Sequence, residues 1–174
     1  MTLFVENDTN VVLQNMRLAI DNTQISDATL VASVGDNSGN AGTTGEITAA
    51  TNAGPIVITS ANHGLSDGDI VLVCRVKGNR AANGTWTVAN KTTNTFELDG
   101  SNGDGAYLSG GIWYKGIVGA TGLSVAAIVG QAGRYYCVVP ATAAILDRGK
   151  YMIVVHCTNY GLEFEHPDEG RVRG

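Results

Sequence analysis

Histidines and carboxylates are the residues of this sequence whose types and spacing could support chemistry. His63 is followed by Asp67 and Asp69, and imidazole together with carboxylates is a ligand set that divalent metals accept. The same stretch is rich in turn formers, so the three residues have a second interpretation as shapers of a loop. Turn propensity favours that second interpretation, and we predict neither a metal nor a cofactor.

His156 and Cys157 are a pair of residue types found in nucleophilic enzymes. They end an apolar run, residues 151 to 157, that is typical of a buried strand. Neighbouring residues of a strand point to opposite faces, so these two side chains cannot easily chelate one metal together. A catalytic Cys–His pair would need a spatial arrangement that the sequence does not supply.

Glu163 and Glu165 are two carboxylates that a strand would place on one face. Their separation would be about 7 Å, within the range of the two carboxyls of a glycosidase. No other feature supports a sugar-cleaving site, and charges on a sheet edge prevent pairing between sheets. We therefore favour a solvated edge and predict that the chain is not an enzyme.

The aromatic residues have two interpretations. Trp86 and Trp113 lie in apolar runs, where large rings usually supply core burial. The alternative is a surface that stacks on a host-surface glycan or contacts another subunit, to which tyrosines would contribute. The predicted interaction residues are Leu3, Phe4, Val5, Trp86, Trp113 and Tyr107.

Short apolar runs between residues 46 and 114 would position most of these side chains. The runs are 56–58, 70–73, 85–88, 95–98 and 112–114. Turn dipeptides separate them, among them Asn83-Gly84, Asp99-Gly100 and Asn102-Gly103. Runs of this length with β-branched residues predict a meandering antiparallel sheet or a small barrel.

The same region carries a resemblance to a known module. The strings His63-Gly64-Leu65, Gly68-Asp69, Asn83-Gly84-Thr85-Trp86 and residues 95–100, TFELDG, occur in that order. They resemble a small β module of tailed-phage structural proteins and prophage genes, often labelled after a half-domain of ubiquitin-activating enzymes. The resemblance implies a virion protein; without an adenylate-binding loop, it does not imply the enzyme's activity.

The flanking sequence predicts a second β domain. Residues 25–34 alternate as a strand, and residues 11–20 fit a helix or, as the neighbours favour, a strand in a hairpin with them. Tyr135 lies two residues before Cys137, as in the tyrosine corner of immunoglobulin-like sandwiches. The chain is therefore expected to be an all-β protein, an Ig-like β-sandwich interrupted by a small antiparallel β-barrel-like module.

The glycine-rich run from residue 35 to 45 is the clearest predicted linker in the chain. It sets the predicted domains as 1–44 and 115–174 for the outer sandwich and 45–114 for the inserted module. An exposed loop of this kind is where inserted domains are accepted.

Composition limits the function classes. Charged residues make up 16% of the 174 residues, below the average of about 25%, and the net charge is −5. An acidic chain without clustered cations is not expected to bind nucleic acid as its primary partner. Three cysteines at wide spacing predict buried free thiols, and neither a signal peptide nor a membrane segment is expected.

The expected function is a non-enzymatic structural component of a tailed-bacteriophage virion, in the neck, tail or capsid decoration. The expected partners are other virion proteins and copies of the chain in a symmetric homo-oligomer, assembled in the host cytoplasm. The polar ends, residues 1–10 and 166–174, are predicted to be arms that become ordered on a neighbour. The alternative function is a receptor- or glycan-binding module of a tail tip or fibre.

Overall fold

The protein is all-β in a computed structural model, which describes residues 5–6, 10–13, 29–127, 129, 135–146, 149–157 and 162–171. Within these ranges the only helical segment is a short 3-10 turn, Arg80–Ala82. No helix of the described ranges is long and apolar enough to span a membrane. The predicted all-β class is confirmed, and the strand arrangement is consistent with a β-sandwich.

The chain divides into two compact units. The inserted unit is Gly35–Ile117, and the outer unit comprises Met1–Val34 and Val118–Gly174. This division begins the inserted unit at Gly35, whereas the sequence-based boundary lies after residue 44. Gly35 and Asp36, at the end of the strand Leu30–Asp36, pair with Gly116 and Lys115 of the same unit. The glycine-rich run is a hydrogen-bonded loop of the inserted unit, in which Ser38 donates its amide to the Asp36 carboxylate.

Seven strands build most of the inserted unit. They are β4 (Thr44–Glu46), β5 (Ala49–Ala50), β6 (Ile56–Thr59), β7 (Ile70–Cys74), β8 (Gly84–Ala89), β9 (Thr95–Leu98) and β10 (Ile112–Gly116). All five apolar runs of this region form strands, as predicted. Their hydrogen-bonded order is β4-β10-β7-β8-β9-β6-β5, and every pairing in it is antiparallel.

The sheet is not closed into a barrel. Its two end strands, β4 and β5, are consecutive in the chain, so the segment Thr44–Ala50 pairs first with β10 and then with β6. Between the two strands, the Ile47 amide donates to the Gly111 carbonyl and the Thr48 amide to the Thr59 carbonyl. The segment Thr44–Ala50 therefore provides hydrogen-bond partners both for β10, near one end of the strand order, and for β6, near the other.

The core of the inserted unit collects the inward side chains of these strands around Trp113 and Phe96. The alternation of buried and partly buried residues along β6 and β9 follows from the two-residue period of a strand. Phe96 packs edge-on against Trp113, with ring centroids 6.2 Å apart. The predicted core role of Trp113 is thus observed directly.

The inserted unit is entered and left through neighbouring strands. Strand β3 (Leu30–Asp36) brings the chain in, and β10 takes it out. The two are antiparallel, with Gly35 opposite Gly116 and Asp36 opposite Lys115. Entry and exit therefore lie side by side within one ladder.

Six further strands, together with the first part of β3, belong to the outer unit. They are β1 (Val5–Glu6), β2 (Asn10–Leu13), β11 (Leu123–Ala127), β12 (Tyr135–Val138), β13 (Lys150–Cys157) and β14 (Leu162–Arg171). β3 pairs with both β13 and β11. β11 pairs in turn with β12, and β12 with β2. β13 pairs with β14, and β14 with β1. Five consecutive residues of β13, Tyr151 to Val155, are buried, so both faces of this strand are covered.

Two predictions for the outer unit are wrong where the structure describes the chain. β2 pairs with β12, and β3 with β11, so the described parts of residues 11–20 and 25–34 do not form a hairpin with each other. The predicted C-terminal arm, residues 166–174, is part of the sheet as far as it is described, because β14 continues as one strand through Arg171 and pairs with β13. β1 runs parallel to the end of β14. The backbone of Val5 and Glu6 therefore has a partner within its own chain.

Candidate functional site

His63 is a buried residue of the inserted unit, and both of its ring nitrogens are engaged. The side chain is 3% exposed. Nδ1 accepts the amide hydrogen of Leu65 at 3.0 Å, so the ring proton lies on Nε2, which is 3.2 Å from the Thr95 carbonyl oxygen. The ring also packs edge-on against Phe96, with centroids 5.1 Å apart. His63 thus fixes a turn, and neither nitrogen is left to bind a metal.

The two aspartates that follow His63 stabilise loops rather than joining it. Asp67 accepts the Lys91 amide at 2.9 Å. Asp69 accepts the Ser66 amide and forms a 2.8 Å ion pair with Lys115, which is part-exposed. In the described part of the chain, no group of three or more His, Cys, Asp or Glu side chains is placed to hold a metal ion.

The predicted interaction residues Trp86, Trp113 and Tyr107 are tied to the inserted unit's own core. Trp113 is 0% exposed, and its indole nitrogen donates to Ser60 Oγ at 2.8 Å. Trp86 is half-buried and donates to the Ala82 carbonyl at 2.9 Å. The Tyr107 hydroxyl is a hydrogen-bond donor 3.0 Å from the carbonyl oxygens of Ile47 and Gly110. The ring of Trp113 is fully buried and presents no exposed surface to a glycan or to another subunit.

The N-terminal interaction residues cannot be placed in the same way. Leu3 and Phe4 lie outside the described residues. Val5 is described as part of β1, whose backbone pairs with β14. The side-chain role predicted for these three residues stays a prediction.

His156 and the cysteines lie on apolar strands. Burial lowers the pKa of His156 below its ordinary value, which favours the neutral imidazole. Its neighbour Cys157 is buried, as are Cys74 and Cys137, and all three thiols are free, as predicted. Burial raises the pKa of Cys137 to about 11. A thiol held in its protonated form is a poor nucleophile.

Glu163 and Glu165 lie on β14, where their backbone positions oppose His156 and Val154 of β13. Both carboxylates lie outside the described side chains. The structure thus confirms the strand but leaves the orientation of the two acids as a prediction.

A cavity of about 290 Å³ opens beside Trp113 and was not anticipated from the sequence. The loop at residues 41–48 forms one wall and residues 60–63 form the other. Its lining includes Ser60, Glu46 and Asn62. The residues that build it are ordinary turn and strand residues, and the only sequence signal was the density of glycine and small residues between positions 41 and 45.

An apolar patch is exposed on the outer unit. Tyr136 and Val138 project from one face of β12, 36% and 45% exposed, while Tyr135 and Cys137 on the other face are buried. Ala126 of β11, directly opposite Tyr136, is also exposed. We call Ala126, Tyr136 and Val138 the β12 patch.

The sequence matches no protein-family profile and no curated protein sequence. The resemblance to the phage module therefore remains a prediction based on the residues quoted above.

Proposed function

We propose that this chain is a non-enzymatic structural component of a tailed-phage virion, in the neck, tail or capsid decoration. It acts through contacts with other virion proteins and with copies of itself. The β12 patch is the observation that carries the proposal. The sequence resemblance of residues 46–114 supports its phage origin.

The β12 patch has the character of a contact surface. In a sheet with one solvated face, the outward residues are usually polar, whereas here Tyr136 and Val138 alternate with buried Tyr135 and Cys137. Full burial of a large apolar side chain that is initially exposed contributes about 1.5–3 kcal/mol. Tyr136 and Val138, which are 36% and 45% exposed, would each gain part of that amount. Two such side chains on one strand therefore favour association with an apolar partner surface.

Further exposed apolar side chains lie in the same unit. Val118, Val129 and Leu146 are all largely exposed. The chain also carries few charges, which are the residues depleted from the centres of protein interfaces. These features support protein contacts as the mode of action, with a homo-oligomer as the simplest assembly.

The experiment compares incorporation of variants into purified particles by quantitative mass spectrometry. The test variant is Tyr136→Ser combined with Val138→Thr, which keeps strand propensity at Val138 while making the face polar. The matched control is Leu108→Ser, which removes an exposed apolar side chain of the inserted unit. We expect a folded double variant that is lost from particles and a control that is retained.

Two results would contradict the proposal. The first is the absence of the wild-type chain from particles purified from cells that express it with its phage. The second is normal incorporation of the double variant, which would remove the β12 patch from the contact. Deletion of residues 1–8 then tests the predicted N-terminal docking separately, because it leaves the β12 patch unchanged.

A further inference from the structure

We propose that the cavity beside Trp113 is a binding site for one neutral, hydroxyl-rich ring of the size of a monosaccharide. This inference does not depend on the proposed function, because every residue of the cavity belongs to the inserted unit and none belongs to the β12 patch. Three observations carry it: the supported floor of the cavity, the polar groups along its lining, and its charge.

The floor of the cavity is rigid and polar. Ser60 is a lining residue that is 2% exposed, and its Oγ accepts the Trp113 indole hydrogen at 2.8 Å. Because Ser60 acts as acceptor in that bond, its own hydroxyl hydrogen remains a donor. A buried hydroxyl fixed by a fully buried indole gives the cavity a floor whose shape is set before a ligand arrives.

Glycines at positions 42 and 45 leave the space above this floor free of side chains. A Cβ atom at Gly45 would lie 2.8 Å from Trp113 Nε1, so only glycine lets the strand pass over the indole. At the opposite side, Gly42 meets the Gly64 backbone, where a Cβ would lie 3.3 Å from the Gly64 oxygen. The two walls therefore meet through backbone, without large side chains to fill the space between them.

The remaining lining groups suit hydroxyls. Glu46 and Asn62 line the cavity, and across the described ranges no hydrogen-bond partner engages the Glu46 carboxylate or the Asn62 side-chain amide. The Asn62 backbone is fixed, because its amide donates to the Asn94 side chain at 3.0 Å. A carboxylate that accepts hydrogen bonds and an amide that both donates and accepts them match the paired donors and acceptors of vicinal hydroxyls.

The charge and the size of the cavity limit the class of ligand that it could bind. No cationic residue lines the cavity, so phosphate, sulfate and carboxylate ligands would meet the Glu46 charge without compensation. A volume of about 290 Å³ is at the small end for ligand sites, which span roughly 300–1,000 Å³, so a single ring fits better than a chain of rings. The indole is covered, so recognition depends on hydrogen bonds rather than on ring stacking.

The experiment is a titration of the full-length protein with single monosaccharides, followed by amide NMR. Glucose, galactose, mannose, rhamnose and N-acetylglucosamine are added separately. We expect at least one of them to shift the amides of residues 41–48 and 60–63 with a dissociation constant on the order of 1 mM. Lysine amide and inorganic phosphate serve as cationic and anionic probes at equal concentration.

Two variants test whether the side chains that line the cavity bind the sugar. Asn62 has a positive φ of 49°, so Asn62→Gly removes the amide while suiting the backbone. Glu46→Ala removes an exposed carboxylate. Each is expected to weaken sugar binding about tenfold, which corresponds to the loss of one hydrogen bond. The matched control is Asp99→Ala, which removes an exposed carboxylate of the same unit outside the cavity.

Several results would overturn the proposal. They are the absence of amide shifts with every sugar, shifts confined to residues outside the cavity, stronger binding of lysine amide or phosphate than of any sugar, and unchanged binding in both variants. Incorporation of the Glu46 and Asn62 variants into particles is measured in parallel. Normal incorporation with lost sugar binding separates this site from the assembly surface.

Discussion

The two units of the chain use their side chains in opposite ways. Among the described residues, six large apolar side chains are exposed, and five of them belong to the outer unit. The inserted unit exposes Leu108 and buries many of its other large apolar residues in the cluster around Trp113. Larger exposed apolar patches are typical of surfaces that contact a partner.

Polar side chains show the same contrast. In the inserted unit His63, Asp67 and Asp69 each satisfy loop backbone groups, so residues that resemble a metal site instead hold turns. In the outer unit the β12 patch presents apolar side chains that the described chain leaves partly exposed. The inserted unit thus uses these polar side chains to hold its own loops, whereas the outer unit leaves part of the β12 patch exposed.

The strongest test of that comparison is to separate the inserted unit. We expect a fragment spanning residues 35–117 to fold by itself and to give a dispersed amide NMR spectrum. A shorter fragment, residues 46–114, removes Thr44 and Gly45, which pair with Tyr114 and Trp113 of β10, and should be markedly less stable. A collapsed spectrum for the longer fragment would show that its core requires the outer unit.

A second test removes the centre of the inserted core. Trp113→Ala deletes the largest fully buried side chain and should lower the free energy of unfolding by about 3–5 kcal/mol. Trp113→Phe keeps most of the apolar ring but leaves Ser60 without the indole donor, and should cost about 1–3 kcal/mol. Urea unfolding is followed by fluorescence of Trp86, the other tryptophan of the chain, which lies in the same unit. Equal losses in the two variants would contradict this account.

A third test compares thiols from the two units. Cys74 of the inserted unit and Cys137 of the outer unit are both buried. The pKa of Cys137 is raised from 9.0 to about 11, so burial alone lowers its thiolate fraction about a hundredfold near neutral pH. Labelling with a thiol reagent, read by mass spectrometry in native and denatured protein, should be slow at both sites in the native state. Rapid native labelling of Cys137 would show that the outer core opens readily.

The smallest expected effect is a pH dependence in the outer unit. The folded pKa of His156 lies below its unfolded value of 6.5, so below about pH 6.5 the unfolded chain binds more protons than the folded one. Stability from this residue is therefore present above that pH and is lost as the pH falls. Thermal unfolding at pH 7.5 and 5.5 measures it, with His156→Gln as the control that should flatten the difference. A larger stability at the lower pH would contradict the assignment.

Local sequence patterns predicted the strands well. The apolar runs of the inserted unit became strands because their short length, their β-branched residues and turn-forming boundaries such as Asn83-Gly84 and Asp99-Gly100 favour the same structure. The alternation of Leu30, Ala32 and Val34 likewise identified a buried face of β3. These features are set by neighbours in the chain, which the sequence displays directly.

Pairing and site geometry could not be predicted in this way. The assignment of β2 to β12 rather than to β3 depends on contacts between residues more than a hundred positions apart. A glycine-rich run can be a linker or a tight loop, and only its hydrogen bonds distinguish the two, so the sequence of residues 35–45 could not place the border after Val34. The cavity arises where two such loops meet, so neither loop alone carries a signal for it.

The side-by-side entry and exit of the inserted unit has a consequence for how such a chain can change over time. Antiparallel partners such as Gly35 and Gly116 have Cα atoms only about 4.5–5.5 Å apart, a gap that a tight turn can bridge. A host sheet could therefore lose the whole block and close the break with a short hairpin, or accept a different block between the same two strands. Recombination at these two points would exchange the whole inserted unit while leaving the strands of the outer unit unaltered in sequence.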